Sequence, residues 1–154
     1  MDFEAWTKLF GKSQDDPDLK AALAAAGVKK IPKLDEDETF VQIELKGHGL
    51  ELILTDEAIL KELDDQDLGE GPLIASGLLA KLGKTHGRDL YKGPLPSGLT
   101  AALSQADVRK LLGQPDDHDI DVDIWKKDGL ELSVDYTKGG ASIAGVTALL
   151  PNAL

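Results

Sequence analysis

Three histidines, His48, His86 and His118, are the only imidazoles in the chain of 154 residues. His118 stands beside Asp116, Asp117 and Asp119, neighbours that would suit a histidine acting as a carboxylate-assisted general base. Nothing near it reads as a nucleophile motif. No histidine has a partner at metal-ligand spacing, and there is no cysteine, so no zinc site is expected. Asp119, Asp121 and Asp123 superficially follow a calcium loop. Its sixth position, however, is Ile124 where glycine is required, and its twelfth is Leu130 where a bidentate acid is required. Gly83-Lys84-Thr85 ends like a phosphate-binding loop, yet Leu78 occupies the place of the upstream glycine. These residues predict no catalytic group, no metal and no cofactor.

Charge is more informative. The net charge is −11, and between Asp35 and Glu70 there are 13 acidic residues against only Lys46 and Lys61. The rest of the chain is neutral. A neutral body with one acidic sector argues against a nucleic-acid partner, because phosphates would be repelled. The sector reads either as a solvated surface or as a contact for a basic protein. Asp119, Asp121 and Asp123, alternating with Ile120, Val122 and Ile124, predict a strand with three carboxylates roughly 7 Å apart on an outer face. That face too is either solvated or a contact for a cationic partner.

The elements that position these residues are marked by caps and turns. Asp2 caps a short helix over residues 2–10 whose Phe3, Trp6, Leu9 and Phe10 share a side. Asp16 and Pro17 start a second helix with Leu19, Ala22, Leu23 and Ala26 as its buried stripe, stopped by Gly27. Phe40, Ile43 and Leu45, then Leu50, Leu52 and Leu54, alternate around Gly47-His48-Gly49 as a hairpin. Residues 56–63 predict a short helix with Ile59, Leu60 and Leu63 apolar, and 64–71 an acidic loop. Leu73–Leu82 reads as a third strand, and 83–98, with His86, Arg88 and Tyr91, as a connector. The clearest element follows: Ser104 and Asp107 form a capping box, Leu103, Val108, Leu111 and Leu112 give an apolar side, and Gly113 and Pro115 end the helix. Asp128-Gly129 then predicts a hairpin turn, Leu130 to Tyr136 a return strand and Ser142 to Leu150 a closing one.

Gly-Leu-Glu-Leu occurs at 49–52 and again at 129–132, each time after a hairpin turn and downstream of a capped helix. The expected fold class is therefore α+β. Two α-β-β-β repeats would form an antiparallel sheet with helices on one side. The first half spans 1–82 with an acidic insertion at 55–71, the connector 83–98, and the second half 99–154.

Leu99 to Pro115, then Ile124-Trp125 and Asp128-Gly-Leu-Glu-Leu-Ser-Val134, resembles the helix-then-hairpin unit of β-lactamase-inhibitor-protein-like folds, which small outer-membrane assembly lipoproteins share. The lipoprotein role is not expected, because the chain has neither that signal nor a cysteine. The wider layout is similar to the small cytoplasmic immunity proteins encoded beside bacterial polymorphic toxins and type VI secretion effectors. Leu9-Phe-Gly-Lys12, Gly49-Leu-Glu-Leu52, Tyr91-Lys-Gly-Pro-Leu-Pro-Ser-Gly98 and the closing Trp and Gly-Leu strands carry that resemblance. It implies a protein that binds one toxin domain and neutralises it, with no catalytic residues to carry over.

The expected partner surface comprises Asp35, Glu36, Asp37, Glu38, Asp56, Glu57, Glu62, Asp64, Asp65, Asp67 and Glu70, helped by Asp119, Asp121 and Asp123. It would occlude the basic active site of a cognate toxin, a nuclease being the natural target. Trp6 and Trp125 stand as candidate aromatic anchors or as core residues. The alternative is an enzyme or small-ligand protein with a site in the cleft between the halves. No nucleic-acid or membrane partner is expected, location is expected to be cytoplasmic, and the protein would be a monomer or homodimer.

Overall fold

The computed structural model describes residues 1–83 and 89–154. His86 and Arg88, and Lys84 and Thr85 of the Gly-Lys-Thr string, lie outside the described residues. The chain forms an α+β fold built on one antiparallel seven-stranded sheet. In chain order the elements are α1 (Phe3–Thr7), α2 (Pro17–Ala25), β1 (Phe40–Leu45), β2 (Leu50–Asp56), α3 (Glu57–Leu60), β3 (Leu73–Lys81), α4 (Gln105–Leu112), β4 (Asp117–Asp119), β5 (Val122–Lys127), β6 (Leu130–Tyr136) and β7 (Ile143–Leu149). The sheet order is β1-β2-β3-β7-β6-β5-β4. No helix among the described residues is long and apolar enough to cross a membrane.

That order is nearly palindromic, and the register shows why. Glu51 and Glu131, the glutamates of the two Gly-Leu-Glu-Leu copies, face Leu79 and Leu149. At the centre Leu79 pairs with Thr147, and Leu149 pairs with Gly77. Exchanging the halves therefore maps the β3–β7 pairing onto itself about the Leu78–Ala148 pair. The repeat read from the sequence is a quasi-two-fold in the sheet. β4, α1 and the α3 insertion are the parts without a counterpart.

Side chains alternate between two faces. One row across six strands runs Leu45, Leu50, Ala80, Val146, Val134 and Asp123; the row two residues along runs Ile43, Leu52, Leu78, Ala148, Leu132 and Trp125. All but Asp123 are apolar, and both rows face the helices. Phe3 and Trp6 of α1, Leu19, Ala22 and Leu23 of α2, and Val108 of α4 join them in one core. Each large side chain so buried contributes about 1.5–3 kcal/mol. The intervening row, Glu44, Glu51, Leu79, Thr147, Ser133 and Ile124, lies on the open face.

Several local expectations change. The first helix stops at Thr7, so Trp6 and Phe10 are not one turn apart on a helix. α3 buries Ala58 and leaves Ile59 exposed. α4 sinks only Val108 completely, while Leu111 is half exposed. The segment after residue 88 is more than a connector. Tyr91 is buried, its Oη accepts from the Phe3 N–H at 2.9 Å and donates to the Pro94 carbonyl at 2.7 Å, and its ring meets Phe3 edge-on at 6.5 Å. Burial, only partly offset by the Phe3 N–H, raises the Tyr91 phenol pKa and keeps it protonated.

The two repeat glycines carry different loads. Gly49 has φ +68° and Gly129 φ +75°, conformations that favour glycine. A Cβ at Gly129 would meet open space, whereas one at Gly49 would collide with the Leu90–Tyr91 backbone. Gly129→Ala should therefore cost about 1–2 kcal/mol of stability, and Gly49→Ala clearly more, because two backbone segments must separate. Chemical denaturation of both variants checks the ranking.

Candidate interaction site

The fold gathers the acidic sector at one end of β1, β2 and β3. Phe40 opposite Thr55 and Asp56 opposite Leu73 bring the start of β1, the end of β2 and the start of β3 together. Residues 35–38 lead into that end, and α3 with the loop to Pro72 leaves from it. Nine carboxylates there are exposed: Asp35, Glu36, Asp37, Glu38, Glu62, Asp64, Asp65, Asp67 and Glu70. Lys61 is spent on Glu57 at 3.2 Å. Glu57 is half-buried, and its pKa is lowered chiefly by the Gln66 side-chain amide and next by Lys61. Local bonds shape the acidic loops: Glu38 accepts from the Asp35 N–H and Glu70 from the Asp67 N–H, each at 2.8 Å. Ile59 and Leu68, 37% and 41% exposed, stand among these acids, and sequence periodicity had not marked them as surface groups.

Asp56 belongs to the expected set but not to the surface. It is fully buried, caps α3 through the Ala58 N–H at 3.0 Å and holds the acidic loop through the Gly69 N–H at 2.9 Å. A carboxylate accepting backbone amides at a helix start is a structural group.

The Asp119–Asp123 expectation is overturned. Residues 117–119 form β4, the chain turns at Ile120 and Asp121, and β5 begins at Val122. Asp121 takes φ +55° in that turn, and Ile120 is 86% exposed at its tip. The alternation is also inverted, because Val122 and Ile124 face the open side while Asp123 and Trp125 face the core. Nor does this turn help the acidic end. Three to six inter-strand spacings separate the two, about 14–29 Å, and they lie at opposite strand ends. One surface does not hold both.

Asp123 is held by four hydrogen bonds. It is fully buried, and Arg109 of α4 grips it with both Nε (2.9 Å) and Nη2 (2.7 Å). Gln105 Nε2 at 3.3 Å and Tyr136 Oη at 3.1 Å complete its shell. Burial opposes ionisation, but the bonds from Arg109, Gln105 and Tyr136 outweigh it and hold the pKa below the usual carboxylate range. Burial first, and then the Asp123 charge, raise the Tyr136 phenol pKa, so this tyrosine stays protonated as a donor. All these polar groups are spent on one another. Trp6 and Trp125 are buried, the latter donating its Nε1–H to the Gly113 carbonyl at 3.2 Å, so neither is an exposed anchor.

The cleft between the halves exists as a groove of about 580 Å³ between α1, the end of α4 and the β5–β6 hairpin. Phe3, Leu112, Trp125, Leu130 and Leu132 line it. The groups whose protonation is displaced, namely Asp123, Arg109, Tyr136, Tyr91 and Glu57, do not. His48 and His118 are exposed at opposite edges, and no group of three or more potential metal ligands gathers among the described residues. No family model, curated protein or solved structure matches the chain.

The buried pair yields a pH test. Because the folded-state pKa of Asp123 is depressed, its contribution to stability is complete above about pH 4 and is lost as pH falls through the lowered value. Asp123→Asn should flatten the acid limb of the stability–pH curve. Arg109→Ala, which strands a buried carboxylate, should lower the melting temperature more than the double change Arg109→Met/Asp123→Leu, which removes both charges. Thermal melts between pH 3 and 7 check both outcomes.

Proposed function

We propose that this protein is a binding inhibitor of the immunity type, which neutralises a secreted bacterial toxin in the cytoplasm by covering its active site. The observation that carries this is the acidic end: nine exposed carboxylates in the loops at one end of β1, β2 and β3, with Ile59 and Leu68 among them. A nuclease site must be cationic to hold phosphate, and such a rim presents the opposite charge. Long-range attraction would speed docking, while the two apolar side chains supply contacts that exclude water. The resemblance to toxin-immunity proteins in residue strings and layout points the same way. No catalytic residue, metal or cofactor is part of the proposal.

The proposed surface is narrower than composition alone indicated: it leaves out Asp56 and Asp123, which are buried, and Asp119 and Asp121, which lie toward the other strand end. In stopped-flow or interferometry experiments against the product of the adjacent gene, Asp64→Lys/Asp65→Lys/Asp67→Lys should slow association at least tenfold at low salt. Asp117→Lys/Asp119→Lys should leave the rate within about twofold. Equal rates for all three proteins would refute the acidic end as the interface.

A further inference from the structure

The two edges of the sheet are finished differently. β4 is three residues long and exposed throughout, and it occupies one of its own amides, the His118 N–H donating to Asp117 Oδ1 at 2.8 Å. β1 has six residues, Phe-Val-Gln-Ile-Glu-Leu, and pairs with β2 without a bulge. Proline, lysine and bulges are the devices that ordinarily keep an edge from pairing, and β1 has none of them. Its one charge, Glu44, accepts from Lys81 Nζ at 3.4 Å. Lys81 is in β3, two strands in, so this carboxylate lies over the open face and not out past the edge.

The ladder fixes which backbone groups the edge leaves unused. The Asp56 N–H donates to the Thr39 carbonyl at 2.9 Å, which makes Thr39 and Asp56 a hydrogen-bonded pair. Antiparallel pairs alternate, so Val41, Ile43 and Leu45 bond to Leu54, Leu52 and Leu50, while Phe40, Gln42 and Glu44 turn their N–H and C=O groups away from β2. Those outward groups have no partner among the described residues. Donors and acceptors repeating about every 7 Å along a straight edge are completed by another extended backbone. Charge selects whose backbone it is. Residues 35–38, all acidic and exposed, lead directly into β1, so a cationic protein is drawn to the place where the edge begins. A second copy of a chain of charge −11 is repelled from it.

We propose that a β-strand of the cationic partner adds to the edge of β1, exchanging main-chain hydrogen bonds with Phe40, Gln42 and Glu44. This rests on the inhibitor function proposed above and names how the partner is held. Charge brings it to the acidic end, and the main-chain bonds along β1 set its register. Side chains of the added strand alternate, apolar beside Val41 and Ile43 on the helix side, polar or basic beside Gln42 and Glu44 on the open face.

Residue-resolved amide exchange by NMR, on the full chain alone and with the product of the adjacent gene, tests it. Alone, Val41, Ile43 and Leu45 are expected to exchange slowly and Phe40, Gln42 and Glu44 fast. In the complex the three fast amides should slow by about tenfold or more. Gln42→Pro keeps the bonds to β2, because the lost N–H points outward, and should weaken binding by about tenfold or more. Gln42→Ala, which keeps the backbone, should stay within about twofold. A complex that leaves the three fast amides unchanged, or that is indifferent to Gln42→Pro, would overturn the strand pairing and leave the inhibitor function standing. No complex with the wild type would overturn both. A dimer of this chain that Gln42→Pro dissolves would give the edge to a second copy and overturn the proposal as well.

Discussion

The pairing of β3 with β7 is the contact on which the rest of the structure depends. Gly77–Lys81 against Gly145–Leu149 is the seam that joins the three strands of the first half and the four of the second into one sheet. Within it each strand carries one glycine and one alanine, Gly77 and Ala80 in β3 and Gly145 and Ala148 in β7. A Cβ on Gly77 would lie 2.5 Å from Leu149 Cδ2 and 3.0 Å from Ile53 Cδ1, so a larger residue there would have to displace the end of the Leu149 side chain. On the opposite side Ala80 and Ala148 leave room for larger core residues. Every surface discussed above inherits its place from this junction.

From the seam outward the two halves have diverged. Val41 faces Leu54 in the first half, and Asp123 faces Val134 at the equivalent point in the second. α2 is accordingly held by an apolar stripe, and α4 by a bidentate ion pair with a single deep valine. A buried pair adds little net stability, but it accepts few alternative geometries, which fixes α4 over the upper rows and leaves the lower rows as the groove. The insertion after β2 adds the acidic end to the other half, far from the β4–β5 turn.

Local signals in the sequence were sufficient where the physics is local. The capping box is present in both directions, Ser104 Oγ accepting from Asp107 N–H at 3.2 Å and Asp107 Oδ2 from Ser104 N–H at 3.3 Å. Asp16 caps α2, and Asp128 and Gly129 take φ +53° and +75° in the predicted turn. The repeat was legible because Gly-Leu-Glu-Leu starts an equivalent strand in each half. The candidate site was legible only as a region. Alternation from Asp119 to Ile124 fits a strand of either orientation, and a turn at Asp121 leaves no glycine or proline signal. The clue was parity: Asp123 and Trp125 share a face, and a buried tryptophan drags the aspartate inward, where Arg109 meets it. Asp56 was misplaced for a related reason, since a helix cap and a surface acid look alike in sequence. Ile59 is exposed because α3 is only four residues long and turns Ala58 toward the sheet.

The most direct test of the account is a hydrogen-exchange footprint of the protein with and without the product of the adjacent gene. Protection concentrated in residues 35–38 and 57–71, with the β4–β5 turn unchanged, is the predicted result. Tight binding that leaves these residues unprotected, or no binding at all, would contradict the inhibitor function proposed for the acidic end.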